Sequence, residues 1–337
     1  MTGNRRLLLA RRPVGDPVRE DFSLVDVDIP APPPGGIVVR NHFASLDPAQ
    51  RGWMDDTPSY MPPMPLNEAV RATTVGTVHA SDNPAFAPGD WVMGLNGLEE
   101  FSVSEAGGFT SPIDISLVDS PTRYLSAVGA VGLTAYFGLL EAGKPQAGET
   151  LLISGAAGAV GSAVGQIGKI KGCRVVGIAG GPGKCQRLID QFGFDAAIDY
   201  KGKSVDQLSA DIAAAIPEGA NIVFENVGGD VLDAELMNLA HGARIILCGL
   251  ISEYNSPTKI GARNLWQVLV KRATMKGFLI ADHVPQFAEG GAQMAQWMAE
   301  GKLTMDEDIQ IGLENGYDAF MRLFSGRNTG KLILKIA

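Results

Sequence analysis

From about residue 122 onward, short apolar runs recur with a steady rhythm, at 150–154, 174–179, 196–200, 221–226, 243–248 and 274–280. Each run is too short for a buried helix and carries almost no polar alternation, which marks strands covered on both faces. Between them lie segments with helical spacing, at 159–171, 184–192, 204–215 and 231–240. Six such strands alternating with helices predict an α/β unit built on a parallel, doubly wound (Rossmann) sheet.

The first 120 residues have a different texture. Proline is frequent, and β-like stretches such as 36–40 and 72–78 are divided by turn signals, among them Pro32-Pro33-Pro34, Asp55-Asp56 and Pro88-Gly89-Asp90. That pattern predicts an irregular, mostly β domain. The tail ends in one more apolar run, 332–336, which is expected to return to that first domain. The expected division is 1–121 with 301–337 as one domain and 122–300 as the other. No internal repeat or low-complexity linker interrupts this plan.

Composition narrows the classes. Hydrophobic residues make up 45% of the 337 and charged residues 19%, with a net charge of −9, the mix of a globular enzyme. No basic run interleaves with aromatics, so nucleic acid is not an expected partner. The basic N-terminus is followed by only four apolar residues, Leu7 to Ala10, and no window approaches the ~20 apolar residues of a membrane span. A soluble, cytoplasmic protein is expected. The three cysteines, Cys173, Cys185 and Cys248, are widely spaced and none neighbours a histidine. They are read as small buried hydrophobes, and no metal site is expected.

Candidate chemistry begins at the first run of the second domain. The strand at 150–154 leads into Gly155-Ala156-Ala157-Gly158-Ala159-Val160-Gly161 and then a helix. Gly155 suits the tight turn, Gly158 lets a phosphate approach the helix-start N–H groups, and Gly161 lets the helix pack on the strand. The spacing is G-x-x-G-x-x-G; alone it is also compatible with a plain strand-to-helix turn, but strand, loop, helix and second strand follow in the required order. An NAD site carries an acid at the end of the second strand for the ribose 2′-hydroxyl. Here that strand ends in Gly180-Gly181-Pro182-Gly183-Lys184. The missing acid and the added lysine favour NADPH, with a solvated surface lysine as the alternative for Lys184. Other templates fail: there is no G-x-S-x-G and no H-E-x-x-H, and Gly326–Lys331 is one residue short of a Walker loop.

The sequence resembles the zinc-independent medium-chain dehydrogenase/reductases, and within them the prostaglandin reductase, leukotriene B4 12-hydroxydehydrogenase and curcumin or alkenal double-bond reductase group. The likeness runs along essentially the whole chain. It rests on Asp47-Pro48-Ala49-Gln50-Arg51-Gly52, Ser59-Tyr60-Met61-Pro62-Pro63, Gly132-Leu133-Thr134-Ala135-Tyr136, the glycine loop, Glu225-Asn226-Val227-Gly228-Gly229, the stretch from Cys248 to Asn255, and Asn328-Thr329-Gly330-Lys331. It implies that the β domain is GroES-like, that substrate and cofactor meet in a cleft between the domains, and that the chain is a homodimer joined near 274–280. Zinc-dependent relatives hold their catalytic metal with cysteine and histidine, and this chain has no cysteine before residue 173.

The resemblance further implies that the pyrophosphate sits on Gly158, Ala159, Val160 and Gly161, and that Lys184 and Tyr200 meet the 2′-phosphoribose. Asn226, Cys248, Gly249, Leu250, Ile251, Ser252, Tyr254, Phe278, Leu279, Ile280 and Asn328 line the rest of the groove. Phe278 and Ile280 also read as core, and Asn226 and Asn328 as turn formers. Arg51, Trp53 and Tyr60 approach a substrate pocket, or pack as core and surface. Ala49 stands where relatives carry an aromatic residue, so no relative's substrate transfers directly. The implied activity is conjugate reduction of an α,β-unsaturated aldehyde or ketone. Hydride goes to the β-carbon, Tyr254 and the nicotinamide ribose hydroxyl stabilise the enolate, and the α-carbon is then protonated. A phenol with a pKa of about 10 is protonated at neutral pH and so is a donor; the alternative is a tyrosine that only packs the nicotinamide. A quinone reductase of the same fold and a non-catalytic NADPH-binding sensor are the rival readings.

Overall fold

The computed structural model describes residues 3–259 and 261–336. The chain divides into two compact units, Met1–Leu125 with Glu307–Ala337, and Ser126–Asp306.

The first unit is mostly β. Strands β1 (Asn4–Leu9) and β2 (Phe22–Val27) form an antiparallel pair. The larger sheet is built from β3 (Ile37–Ser45), β4 (Arg71–Ser81), β5 (Trp91–Gly97), β6 (Phe101–Ser104) and β7 (Thr110–Pro112), with a short helix α1 (Ala49–Trp53) after β3. These strands pair antiparallel, as short strands joined by Pro/Gly turns do. The turn at 88–90 leads into β5, which starts at Trp91.

The second unit holds β8 (Thr150–Ile153), β9 (Arg174–Ala179), β10 (Ala196–Asp199), β11 (Ala220–Glu225), β12 (Leu239–Leu247) and β13 (Thr274–Gly277). All pair in parallel, in the order β10-β9-β8-β11-β12-β13. Counted within the unit this is 3-2-1-4-5-6, the doubly wound dinucleotide order. Alternate strand residues serve opposite faces: Leu151, Ile153 and Val175 enter one apolar cluster, and Leu152, Val176 and Ile178 the other. That is why the runs read as continuously apolar.

The helices of this unit are α2 (Ala130–Phe137), α3 (Ala159–Ile170), α4 (Pro182–Asp190), α5 (Val205–Ala215), α6 (Gly229–Leu236), α7 (Ile251–Tyr254), α8 (Trp266–Val270) and α9 (Phe287–Ala299). Gly165 and Gly168 inside α3 each cost about 1 kcal/mol of helix propensity. They are accommodated because a Cβ at 165 would lie 2.0 Å from the Phe194 ring and one at 168 would lie 2.6 Å from Leu151. The glycine face of α3 is thus what lets it dock. Helix α4 begins two residues before its expected start because Pro182 is pre-set for the first helical turn. Ser204, expected inside α5, is its cap: its Oγ accepts the Gln207 N–H and its own N–H donates to Gln207 Oε1 at 2.9 Å. The expected strand 274–280 stops at Gly277; Phe278 turns into the core and Ile280 opens a 3-10 turn. β13 is an outer strand of the sheet, and beside it Leu265, Trp266, Leu269 and Val270 are exposed.

The chain ends in the first unit with β14 (Glu307–Ile311), helix α10 (Gly316–Phe324) and β15 (Lys331–Lys335). β15 pairs antiparallel with β3, so the tail returns as its apolar pattern suggested. Lys331 is 2% exposed, and its Nζ donates to Leu46 O and Asp47 Oδ1, both at 2.8 Å. Among the described residues no helix is long and apolar enough to cross a membrane.

Candidate functional site at the strand ends

The parallel sheet brings every loop that follows a strand to one edge. The chain runs outward from β8 to β9 and β10 on one side, and from β11 to β12 and β13 on the other. The β8/β11 boundary is therefore the switch point at which such folds bind ligands. The expected site residues of this unit, from Gly155 through Ile280, all lie in segments that follow these strand ends.

At the switch point Gly155 has φ +58°, and Ala156 N–H donates to Ile178 O at 3.1 Å. Gly158 caps α3 in an extended conformation with no side-chain cap. The N–H groups of Ala159, Val160 and Gly161 in the first helical turn have no intrahelical acceptor, and the helix dipole favours an anion there. A Cβ at Gly161 would stand 2.5 Å from Gly155 O and 2.7 Å from Ala156 Cα. The side-chain-free turn and the N–H groups left without acceptors fit the pyrophosphate of a dinucleotide.

Beyond β9, Gly180 and Gly181 carry no side chains, and Tyr200 and Lys201 lie over the gap: a Cβ at Gly180 would be 3.1 Å from Tyr200 Cε1 and from Lys201 Cε. Lys184 is half-buried. Burial, and then the charges of Lys201 and Arg187, push its ammonium below the usual lysine range. The acid at this corner among the described residues, Asp199, belongs to β10. Its Oδ1 accepts Gly181 N–H at 2.7 Å and Lys201 N–H at 3.0 Å. Against the cost of burial, these N–H bonds and the Lys203 and Lys201 charges hold its carboxyl below the usual range. Asp199 is thus committed to backbone. Two lysines and a phenol remain to receive an anion. Lys201 was missed from sequence, although it directly follows Tyr200.

On the other side, residues 248–254 are laced to the β11 loop. Cys248 and Gly249 N–H donate to Glu225 O, Ile251 N–H to Asn226 O, and Ser252 N–H to Val227 O, at 2.9–3.2 Å. Asn226 donates its amide to Ser154 O at 2.8 Å, a tie between the ends of β11 and β8. Leu250 N–H donates to the Tyr254 hydroxyl at 3.2 Å, which turns the phenol back over Gly249. Burial and the Glu225 charge push the Cys248 thiol up to about 12, so Cys248 is no nucleophile. Phe278 is buried, which is its core reading; Ile280 packs against the same cluster, and Leu279 is 38% exposed. His283 stacks between Phe137 and Phe278.

Four expected residues lie in the first unit: Arg51, Trp53, Tyr60 and Asn328. Asn328 donates to Gly330 O at 3.0 Å as a turn former. Arg51, expected at a substrate pocket, is 3% exposed and donates to Pro13 O, Gly15 O and Asp55. The geometry makes it a clamp on the Pro13–Gly15 turn, a role only the folded chain reveals. Tyr60 is half-exposed, and its hydroxyl accepts Trp53 Nε1–H at 3.0 Å. Among the described residues no three His, Cys, Asp or Glu side chains are grouped to hold a metal ion.

Strand order and glycine cradle define a protein of the dinucleotide-binding Rossmann class. Residues 5–111 match the family model described as the N-terminal domain of oxidoreductase, and residues 159–299 the one described as zinc-binding dehydrogenase. The chain is 43% identical to the putative NADP-dependent oxidoreductase YfmJ of Bacillus subtilis, over 99% of this chain and 98% of that one. It is 41% identical to the NADPH-dependent curcumin reductase of Escherichia coli, over 99% and 97%. The crystal structure of CurA from Vibrio vulnificus in complex with NADPH superposes with a TM-score of 0.92 at 42% identity, covering 99% of each chain. The chain belongs to the medium-chain dehydrogenase/reductase family, in its curcumin and 2-alkenal reductase group.

Proposed function

We propose that this protein is an NADPH-dependent, zinc-free reductase of the C=C bond of α,β-unsaturated aldehydes and ketones. The observation that carries the cofactor reading is the Gly180–Lys184 segment after β9, which itself holds no acid: Lys184 and Lys201 lie close together, and the nearby Asp199 of β10 is held by backbone N–H groups. The Vibrio vulnificus relative solved with NADPH and the Escherichia coli relative named for curcumin reduction support the same cofactor and substrate class.

The cofactor, when bound, supplies the hydride that reaches the β-carbon. The uncapped start of α3 holds the pyrophosphate through Ala159, Val160 and Gly161, with Gly155 and Gly158 shaping the turn. Lys184, Tyr200 and Lys201 take the 2′-phosphate. Asn226, the 248–254 segment and Phe278–Ile280 form the wall beyond. Tyr254 donates its hydroxyl proton in a hydrogen bond to the oxygen on which enolate charge develops. The Leu250 N–H bond into the phenol oxygen of Tyr254 strengthens that donation. Residues 122–300 serve as the cofactor domain, and 1–121 with 301–337 as the substrate domain. The outer edge of β13 and the exposed Leu265, Trp266, Leu269 and Val270 support a homodimer joined strand to strand. Such a dimer sediments at twice the mass of the chain, and sedimentation at the mass of one chain refutes it.

The cofactor reading is tested at Lys184. Lys184→Ala is expected to raise the KM for NADPH by about tenfold, the worth of one charge-assisted bond, and to leave the KM for NADH nearly unchanged. Equal losses with the two cofactors would take Lys184 out of 2′-phosphate recognition.

A further inference from the structure

Glu225, the last residue of β11, and Glu235, on α6, are both at 0% exposure. Glu225 is filled as an acceptor. One oxygen takes the Ser154 hydroxyl; the other takes Val227 N–H at 2.8 Å and Gly228 N–H. Ser154 Oγ in turn accepts Asn226 N–H at 2.9 Å. Since the Glu225 carbonyl also receives Cys248 and Gly249, this one residue ties together the ends of β8, β11 and β12, directly before Gly155.

Glu235 is placed differently. Neither of its oxygens meets a donor, and the polar group it faces is the Glu225 carboxylate, itself an acceptor. Two buried acceptors face one another stably only when a proton lies between them. Burial first, and the Glu225 charge second, push the Glu235 carboxyl well above its usual range. Cys248 also neighbours the pair, and its thiol is held protonated. Asp233 on the same helix is engaged elsewhere, with Arg263 and Asn264.

We propose that Glu235 is a positioning residue: as a neutral acid it donates a hydrogen bond to Glu225, and so fixes the carboxylate that organises the 154–155 and 226–228 loops. The consequence for cofactor affinity rests on the reading of this edge as the NADPH site. The consequence for stability does not. The folded chain holds a proton on Glu235 that the unfolded chain releases in the ordinary carboxylate range. Stability from this group is therefore present at acid pH and is lost as pH rises from that range towards the raised folded value.

Glu235→Gln keeps the shape and an uncharged donor; Glu235→Leu keeps the volume and loses the donor. Melting temperatures of the full chain without cofactor, followed from pH 5 to pH 9, are expected to fall more steeply for the natural protein than for Glu235→Gln, so that the glutamine variant melts higher at pH 9. At neutral pH Glu235→Gln should bind NADPH within about twofold of the natural protein. Glu235→Leu should raise the KM for NADPH about tenfold with kcat unchanged, the cost of one buried bond. Parallel melting profiles for the natural and glutamine proteins overturn the shared proton. Unchanged NADPH affinity in a folded Glu235→Leu overturns the positioning role. Should the leucine variant not fold, the glutamine melting profile still decides the pair. If NADPH binds none of the proteins, the cofactor reading fails while the melting comparison stands.

Discussion

Gly161→Ala is expected to weaken NADPH binding by about 100-fold while leaving the second unit folded. The added Cβ would stand 2.5 Å from Gly155 O and 2.7 Å from Ala156 Cα, both backbone atoms with no freedom to swing away. Either the 155–158 turn or the start of α3 must move by the better part of an ångström. Overpacking of this kind costs about 1–3 kcal/mol of stability, which a domain with two large apolar clusters can absorb. Anion recognition tolerates it less, because the N–H groups of Ala159 and Val160 must point together at one phosphate, and a misplacement of about 1 Å in such an array is worth about 100-fold. NADPH fluorescence titration, with circular dichroism to confirm folding, measures the effect. A folded Gly161→Ala protein that binds NADPH like the natural one would remove the glycine cradle from the account.

Tyr254→Phe is expected to lower kcat for an enone by at least tenfold at saturating NADPH, with a smaller change in KM. Losing one donor to a developing oxyanion typically costs 10²–10³-fold, about 3–4 kcal/mol; the lower bound allows a second donor to remain. The substitution also removes the acceptor of Leu250 N–H, but that segment is partly exposed and water can replace it. Effects on NADPH affinity should therefore stay within a few-fold. Unchanged turnover would reduce Tyr254 to a packing residue.

The features legible in sequence are those that local pattern and chain order specify. The central strands β8, β9 and β11 announced themselves because both of their faces are buried, and the 155–161 loop because three glycines stand where a strand must become a helix. The tail strand was legible from Leu332, Ile333, Leu334 and Ile336, four apolar residues in a run of five. What escaped depends on contacts distant in the chain. Ile280 looked like the end of a strand until Phe278 was seen turned into the core. Arg51 looked like pocket chemistry, yet besides Asp55 it holds Gly15 and Pro13, which lie 36 and 38 residues earlier. Lys331, in a motif that resembled a phosphate loop, is a buried tie to Leu46 and Asp47. Glu235 carried no signal at all: an acid on a short helix usually faces solvent, and only the fold turns it onto Glu225. Lys201 is the exception, since a lysine next to Tyr200 was in plain view.

The central claim is tested most directly by following NADPH and NADH oxidation with enals, enones and quinones in parallel, and identifying the products. The account predicts NADPH consumption at rates well above those with NADH, and products in which the alkene is saturated, the carbonyl is intact and the cofactor's hydrogen sits on the β-carbon. Consumption with quinones alone, reduction at the carbonyl, or binding of NADPH with no turnover of any activated alkene would contradict it.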